Sequence, residues 1–352
     1  MPPRSIGFLV PGRLDARTGG YLYDSRMIDG LRARAWHVDV RELNGAFPFP
    51  SATALADAAR VLESFDDHAV VVVDSLALGA LPDAVEREGQ RLTIVGLVHL
   101  PLAADVAHDA ATAARLLRDE RRALAAAKLV VVTGAAAVAL LAPHGVPRDK
   151  IVLVEPGAEP APLARGSQRP EPQLLSVATL NVVKGHEILL DALAPLRARA
   201  WHLTCVGSAT RDVATAVRIN ERLDRLELRE RVSLVGELDA AGVASAYDRA
   251  DVFVASSLRE TYGMAVAEAL ARGLPVIGTR TGAIADLVGD AAGIVVSPGD
   301  AGALSAALSR VLDDPALRAR LAAGARRVRE RLPTWDQAIG RMEAVLSQIT
   351  DR

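Results

Sequence analysis

Asp251-Val-Phe-Val-Ala255, Arg259-Glu-Thr-Tyr-Gly-Met-Ala-Val-Ala-Glu268 and Gly273-Leu-Pro-Val-Ile277 follow one another in a single run. The first and last are apolar without polar alternation, as strands buried on both faces must be. The segment between them predicts a loop and then a helix running to Ala271. Strand, helix and strand in that order imply a parallel sheet. Glu260 and Glu268 stand eight positions apart across the loop-to-helix junction. With the helix starting near Gly263, its free amides and Glu260 share one end, and Glu268 lies about two turns along. Such a corner can hold a phosphate and the sugars on either side of it.

The same grammar extends in both directions. Strands are expected at Ile6–Val10, Val38–Arg41, Val70–Asp74, Thr93–Val98, Leu129–Thr133 and Ile151–Val154, with helices over Gly20–Ala35, Ala52–Ser64 and Asp105–Ala127. The pattern breaks at Pro156-Gly-Ala-Glu-Pro-Ala-Pro162 and Gly166-Ser-Gln-Arg-Pro-Glu-Pro172, a linker by composition. It restarts with strands at Leu174–Ala178, His202–Val206, Val232–Val235, Val252–Ala255, Pro275–Gly278 and Ile294–Val296. Helices fit Glu187–Arg199, Ala240–Asp248, Met264–Arg272, Ala301–Leu312 and Pro315–Glu330. The fold class is therefore α/β, with two doubly wound, Rossmann-like domains at 1–165 and 172–334. A final amphipathic helix at 335–352 either closes the second domain or crosses back to the first. At 352 residues, two cores are the better expectation. Ligands in such sheets bind beyond the C-terminal ends of strands, so two domains facing across a cleft would place their post-strand loops there.

Composition excludes several classes. Acidic and basic residues nearly cancel, 43 against 41, and aromatics are 3%, which argues against a nucleic-acid surface. Cys205, the single cysteine, lies in an apolar run, so it reads as a buried thiol; an internal disulfide and a cysteine-rich zinc site are excluded. No signal peptide or span of transmembrane length is evident, making the cytoplasm the expected compartment. Arg115, Arg118, Arg121 and Arg122 along one helix leave peripheral membrane contact open beside an ordinary solvated face.

Candidate site residues follow strands. Pro11-Gly-Arg-Leu-Asp-Ala-Arg-Thr-Gly-Gly20 carries paired glycines, Gly19 and Gly20, before a helix, permitting close backbone approach to an anion or sugar. It is neither a dinucleotide fingerprint nor a Walker loop. His99 ends the fourth strand, where an imidazole can exchange a proton with a substrate; His108 and Asp109 are weaker candidates. The histidines show no recognised metal spacing. Lysine occurs only at positions 128, 150 and 184. Lys184, in Thr179-Leu-Asn-Val-Val-Lys-Gly-His186, is placed to neutralise charge on a departing diphosphate. The two glutamates could instead be the acid/base pair of a hydrolase, but they share a corner with helix amides and do not flank a bond.

Together these motifs resemble the retaining GT-B glycosyltransferases of family 4. The resemblance rests on Thr18-Gly-Gly20, Lys184-Gly185-His186, Glu260 through Glu268, Ala269-Leu-Ala-Arg-Gly-Leu-Pro-Val276 and Pro298-Gly-Asp300. It implies a nucleotide-diphosphate sugar (UDP-, GDP- or ADP-linked) as donor co-substrate, no further cofactor and no metal. It also implies a hydroxyl-bearing acceptor, small or lipid-linked. Carried over by motif, Glu268 looks like the ribose-binding glutamate, and Glu260 like the reader of donor-sugar hydroxyls. The backbone of Thr261, Tyr262, Gly263 and Met264 would lie against sugar and phosphate. Lys184, beside Gly185, resembles the diphosphate-binding lysine; Gly20 would approach the donor and His99 the reacting sugar. The stretch Gly236-Glu237-Leu238 is similar to the one holding the base, and the final helix would cross back onto the first domain. A front-face transfer needs no side-chain nucleophile, so Lys184, Glu260 and His99 are the catalytic candidates without one being a nucleophile.

The chain departs from the family at one important place. An arginine usually precedes the lysine, and Thr179 stands there instead. Arg211, Arg13 and Arg17 are the candidate replacements. Thr281-Gly-Ala283 and Asp286 are milder departures. Two alternatives stay open: a nucleotide-sugar epimerase or hydrolase, and a noncatalytic nucleotide-sugar-binding protein. Phe47 and Phe49 either shape an acceptor pocket or pack as an ordinary loop.

Overall fold

The structure is a computed structural model describing residues 4–350; Met1-Pro-Pro3 and the 351–352 end of the expected final helix lie outside the described residues. Six parallel strands form the first sheet: β1 (Ser5–Pro11), β2 (His37–Leu43), β3 (Val70–Asp74), β4 (Thr93–Val98), β5 (Leu129–Val132) and β6 (Ile151–Leu153), in the order β2-β1-β3-β4-β5-β6. Six more form the second: β7 (Gln173–Val177), β8 (His202–Val206), β9 (Val232–Leu234), β10 (Val252–Ala255), β11 (Val276–Thr279) and β12 (Gly293–Val296), in the order β12-β11-β10-β7-β8-β9. Apolar continuity places these strands because both faces are covered. Successive residues feed opposite layers: Leu174, Val252 and Val254 enter one core cluster of the second sheet, while Leu175 and Phe253 enter the other.

Strand order reverses beside β1 in the first sheet and beside β7 in the second. At such a point the loops leaving adjacent strands diverge and open a crevice at their C-terminal ends. The loop after β7 carries Lys184, and the loop after β10, its neighbour, carries Glu260. The equivalent loops of the first sheet follow β1 and β3.

Helix limits differ from expectation for local reasons. The helix expected from Asp105 begins at Ala110, because the Asp109 carboxylate accepts from Thr112 N (2.7 Å) and caps it. The helix expected to reach Arg199 stops at Leu193 and tightens into a 3-10 turn at Ala194–Leu196, where Pro195 has no N–H to continue it. The helix Val213–Arg225 has no counterpart in the sequence reading. Its apolar stripe of Ala216, Ile219 and Leu223 is narrow among polar neighbours.

The chain divides into two compact units. One runs to Gly157 and takes in the chain from Pro333 onward; the other is Ala158–Leu332. Residues 158–165, placed by sequence with the first domain, therefore belong to the second. Ala164 N donates to Arg272 O (2.9 Å), and Arg165 pairs with Asp248. The terminal helix Trp335–Thr350 belongs to the first unit, where Arg34 bridges Asp336 and Glu343 and Trp36 Nε1 donates to Glu343 (3.2 Å). Cys205 is buried, and burial pushes its thiol up to about 12, which makes it inert. No helix among the described residues is long and apolar enough to cross a membrane.

Candidate functional site

Lys184 ends a 3-10 turn, Val182–Lys184, whose cap is the Asn181 side chain accepting from Lys184 N (3.1 Å). Gly185 then takes φ +65°, and a Cβ there would overlap Ser256 O. Only glycine lets the β7 loop lie this close to the end of β10. Two hydrogen bonds fix the approach: Ser256 Oγ donates to Lys184 O (2.9 Å), and Leu258 N to Val183 O (2.7 Å).

This packing brings Lys184 Nζ to 2.6 Å from Glu260 Oε1. Ser257 Oγ donates to the same oxygen at 2.8 Å. Both contacts fall on Oε1, and the pair is partly sheltered, with side-chain exposures of 27% and 18%. Gly282 lies against the other side of the Glu260 backbone, where an added Cβ would come within 2.8 Å of Glu260 C and O. Three loops of one sheet edge thus enclose Glu260.

Gly263 (φ +104°) caps the helix Met264–Ala271 without a side-chain acceptor; Val266 N donates to Gly263 O (3.0 Å), and no side chain caps the amides of Met264 and Ala265. Glu268 is the fifth residue of this helix, a little over one turn along and not two. The Tyr247 hydroxyl lies 3.0 Å from Glu268 Oε2 and 3.1 Å from Ala265 O. The Arg272 guanidinium sits over the Tyr247 ring at 4.6 Å and donates to Glu268 O. Tyr247, Arg272 and Ser257 were not singled out by the sequence, since nothing in their spacing announces them.

Thr179 lies in the β7 loop and is half-buried. Among its candidate replacements, Arg211 is 3.5 Å from Glu237, which brings two expected site residues together beyond β8. Leu238 packs against the second core. Arg13 is taken by Asp15 (2.6 Å). Arg259, next to Glu260, has a buried Nε without a hydrogen-bond partner among the described residues.

In the first unit, the helix Gly19–Ala33 starts at Gly19, and the Thr18 side chain makes no cap. Gly20 faces His99, whose ring carbon would lie 3.3 Å from a Cβ at that position. His99 Nε2 is 3.0 Å from Asp24 Oδ1 and 3.3 Å from Asp74 Oδ2, both carboxylates being buried. Burial disfavours the imidazolium, but Asp24 and Asp74 together outweigh it and raise His99 to about 10. Burial likewise raises Asp24, opposed by His99. The ligand atoms of these three residues lie within 4.8 Å of one another, a grouping hidden by positions 24, 74 and 99. A cavity of about 190 Å³ adjoins them, lined among others by Thr18, Tyr21, Pro48, Asp105 and His108. Phe49 is exposed beside it, its ring edge-on to His108 and under Arg115, while Phe47 packs on the first core.

Residues 163–328 match the family of glycosyl transferases group 1. The matched stretch includes Lys184, Glu260 and Glu268. The chain is 32% identical over 256 residues to the D-inositol 3-phosphate glycosyltransferase of Xylanimonas cellulosilytica, a match covering 68% of this chain and 61% of that one. It thus spans about three-fifths of that relative's length. Among solved structures, sucrose-phosphate synthase from Thermosynechococcus elongatus superposes with a TM-score of 0.84 at 23% identity, over 99% of both chains. Anabaena HepE in complex with UDP-glucose gives 0.75 at 18% identity, over 98% and 99%. These likenesses show the fold, the two-unit α/β architecture of GT-B glycosyltransferases.

Proposed function

We propose that the protein is a retaining glycosyltransferase of family 4 that moves a hexosyl group from a nucleotide-diphosphate sugar to a hydroxyl acceptor. The observation that carries this reading is the Lys184–Glu260 contact at the switch point of the second sheet. A cation, a carboxylate and uncapped helix amides meet there, the combination a sugar diphosphate requires.

In this reading Lys184 and the first-turn amides of Met264–Ala271 take the diphosphate. Glu260 reads hydroxyls of the transferred sugar, using the oxygen that Lys184 and Ser257 leave over. Glu268, oriented by Tyr247, accepts from the ribose hydroxyls, and the Gly236–Leu238 turn borders the base. Because Lys184 is already paired with Glu260, donor phosphate must share or displace that partner, so the two roles are coupled. The likeness to a structure holding UDP-glucose makes a uridine donor the first to try. No nucleophile is needed when the departing phosphate oxygen takes the acceptor's proton. Charge stabilisation on that phosphate is then the main catalytic contribution. Thr179 removes one cation from it and favours a second reading, a protein that binds the donor without transferring the sugar.

The test is to incubate the protein with UDP-, GDP- and ADP-sugars and a broad acceptor panel. Released nucleoside diphosphate and the anomeric configuration of any product are then measured. An α-linked product from an α-linked donor is expected. Donor consumed to an epimer without acceptor, or bound without turnover, replaces this reading with one of its alternatives.

A further inference from the structure

Asp24 and Asp74 have no role in the donor corner, yet both are buried in the first unit, at 0% and 3% exposure. They reach His99 from different elements, the helix Gly19–Ala33 and the end of β3. Both address the same nitrogen, Nε2. With both carboxylates ionised, a nitrogen facing their oxygens at 3.0 and 3.3 Å carries a proton, since an unprotonated one would repel both. One Asp74 oxygen also accepts from Leu76 N (2.7 Å), fixing that carboxylate at the head of the turn after β3. Charge sets the second proton. With a neutral imidazole the trio would bury two negative charges, whereas with an imidazolium it buries one. Among the described residues no lysine or arginine lines the adjoining cavity to take that task; its other titratable groups are Tyr21, Asp105 and His108. Tyr23, edge-on to His99 at 5.4 Å, is held in its neutral form by burial.

We propose that Asp24 and Asp74 are positioning residues that hold His99 as an imidazolium, turning its Nδ1–H toward a single-ring polyol or sugar in the adjoining cavity. The cavity, about 190 Å³, falls below the roughly 300–1,000 Å³ of pockets for drug-sized ligands. That volume matches a single sugar-sized ring. Gly20 belongs to the same device, because any side chain there would press on the His99 ring. The inference deepens the proposed function by naming the acceptor class. It also removes His99 as a general base, since an imidazolium has no lone pair to accept the acceptor's proton. Its role is to donate to a ring or hydroxyl oxygen.

The test uses the full chain with 15N-labelled histidine and no nucleotide, so it stands whether or not the donor reading does. His99 ring signals are assigned by their loss in His99→Gln and followed from pH 6 to 10. Both nitrogens should stay protonated through pH 8.5. In Asp24→Asn the titration midpoint should fall by about one to three units, and Asp74→Asn should act in the same direction. Single-ring polyols such as myo-inositol and methyl glucoside should shift the Nδ1 signal. A wild-type midpoint near 6.5 overturns the proposal even if both variants misfold. So does a panel of single-ring polyols that leaves Nδ1 unmoved, or an Nε2 without a proton that responds to zinc chloride.

Discussion

Lys184 Nζ lies 2.6 Å from Glu260 Oε1, although the two residues are 76 positions apart. Neighbouring strands β7 and β10 bring their loops together there. Removing either partner disturbs the other, so their effects on donor turnover should not add. Lys184→Ala should lower kcat/KM for the donor about 10²- to 10³-fold, the usual loss for one charge-stabilising donor. Glu260→Gln, which keeps the shape and the Ser257 contact, should cost about tenfold or more. The double variant should resemble Lys184→Ala alone. Additive losses in steady-state kinetics would separate the two roles.

Tyr247 should act on the nucleoside and not on the sugar. Tyr247→Phe keeps the ring beneath Arg272 and deletes only the hydroxyl that meets Glu268 Oε2. Affinity for UDP should fall by about 1 kcal/mol, the net value of one such hydrogen bond. Equal UDP affinities by calorimetry would remove Glu268 from the ribose site.

Gly185 is predicted to be indispensable to the fold of the corner. An alanine there adopts a left-handed backbone and overlaps Ser256 O. The backbone conformation alone costs about 1–2 kcal/mol, and the overlap adds to it. Gly185→Ala should unfold at visibly lower temperature and lose donor binding. A variant with an unchanged melting temperature would mean that the loop has another way to pack.

The sequence carried the alternation of strands because a two-faced sheet leaves a continuous apolar signature. Thus Val70–Asp74, Thr93–Val98, His202–Val206 and Val252–Ala255 lie where they were expected. The positions of Lys184, Glu260 and Glu268 were legible for a related reason: the first two lie in loops that leave expected strands, and the third lies within an expected helix. Asp24 and Asp74 were not legible, because each looks like an ordinary polar residue until the fold aims both at His99. The helix Val213–Arg225 was missed where polar residues outnumber its apolar stripe. The domain limit was placed late because the Pro-rich stretch is held along the second unit by Arg272 and Asp248, and is not a free linker.

His186 predicts a pH dependence of stability. It is 2% exposed, neither ring nitrogen has a hydrogen-bond partner among the described residues, and burial with Lys184 beside it lowers its pKa from 6.5 to about 4. The folded state thus binds this proton less readily than the unfolded state. The contribution is complete above pH 6.5 and is lost as pH falls through 6.5 toward 4, amounting to about 3 kcal/mol. Urea unfolding at pH 7.5 and 4.5 should show a smaller acid loss for His186→Leu than for wild type. Parallel losses would contradict it.

The central claim is that the Lys184–Glu260 corner receives a sugar diphosphate. Calorimetric titration of UDP-glucose, GDP-mannose and ADP-glucose into wild type and Lys184→Ala addresses it most directly. At least one donor should bind wild type, and the same donor should bind Lys184→Ala at least about tenfold more weakly, a loss of about 1.4 kcal/mol. Equal affinity in both proteins, or no binding of any donor to wild type, would contradict the account.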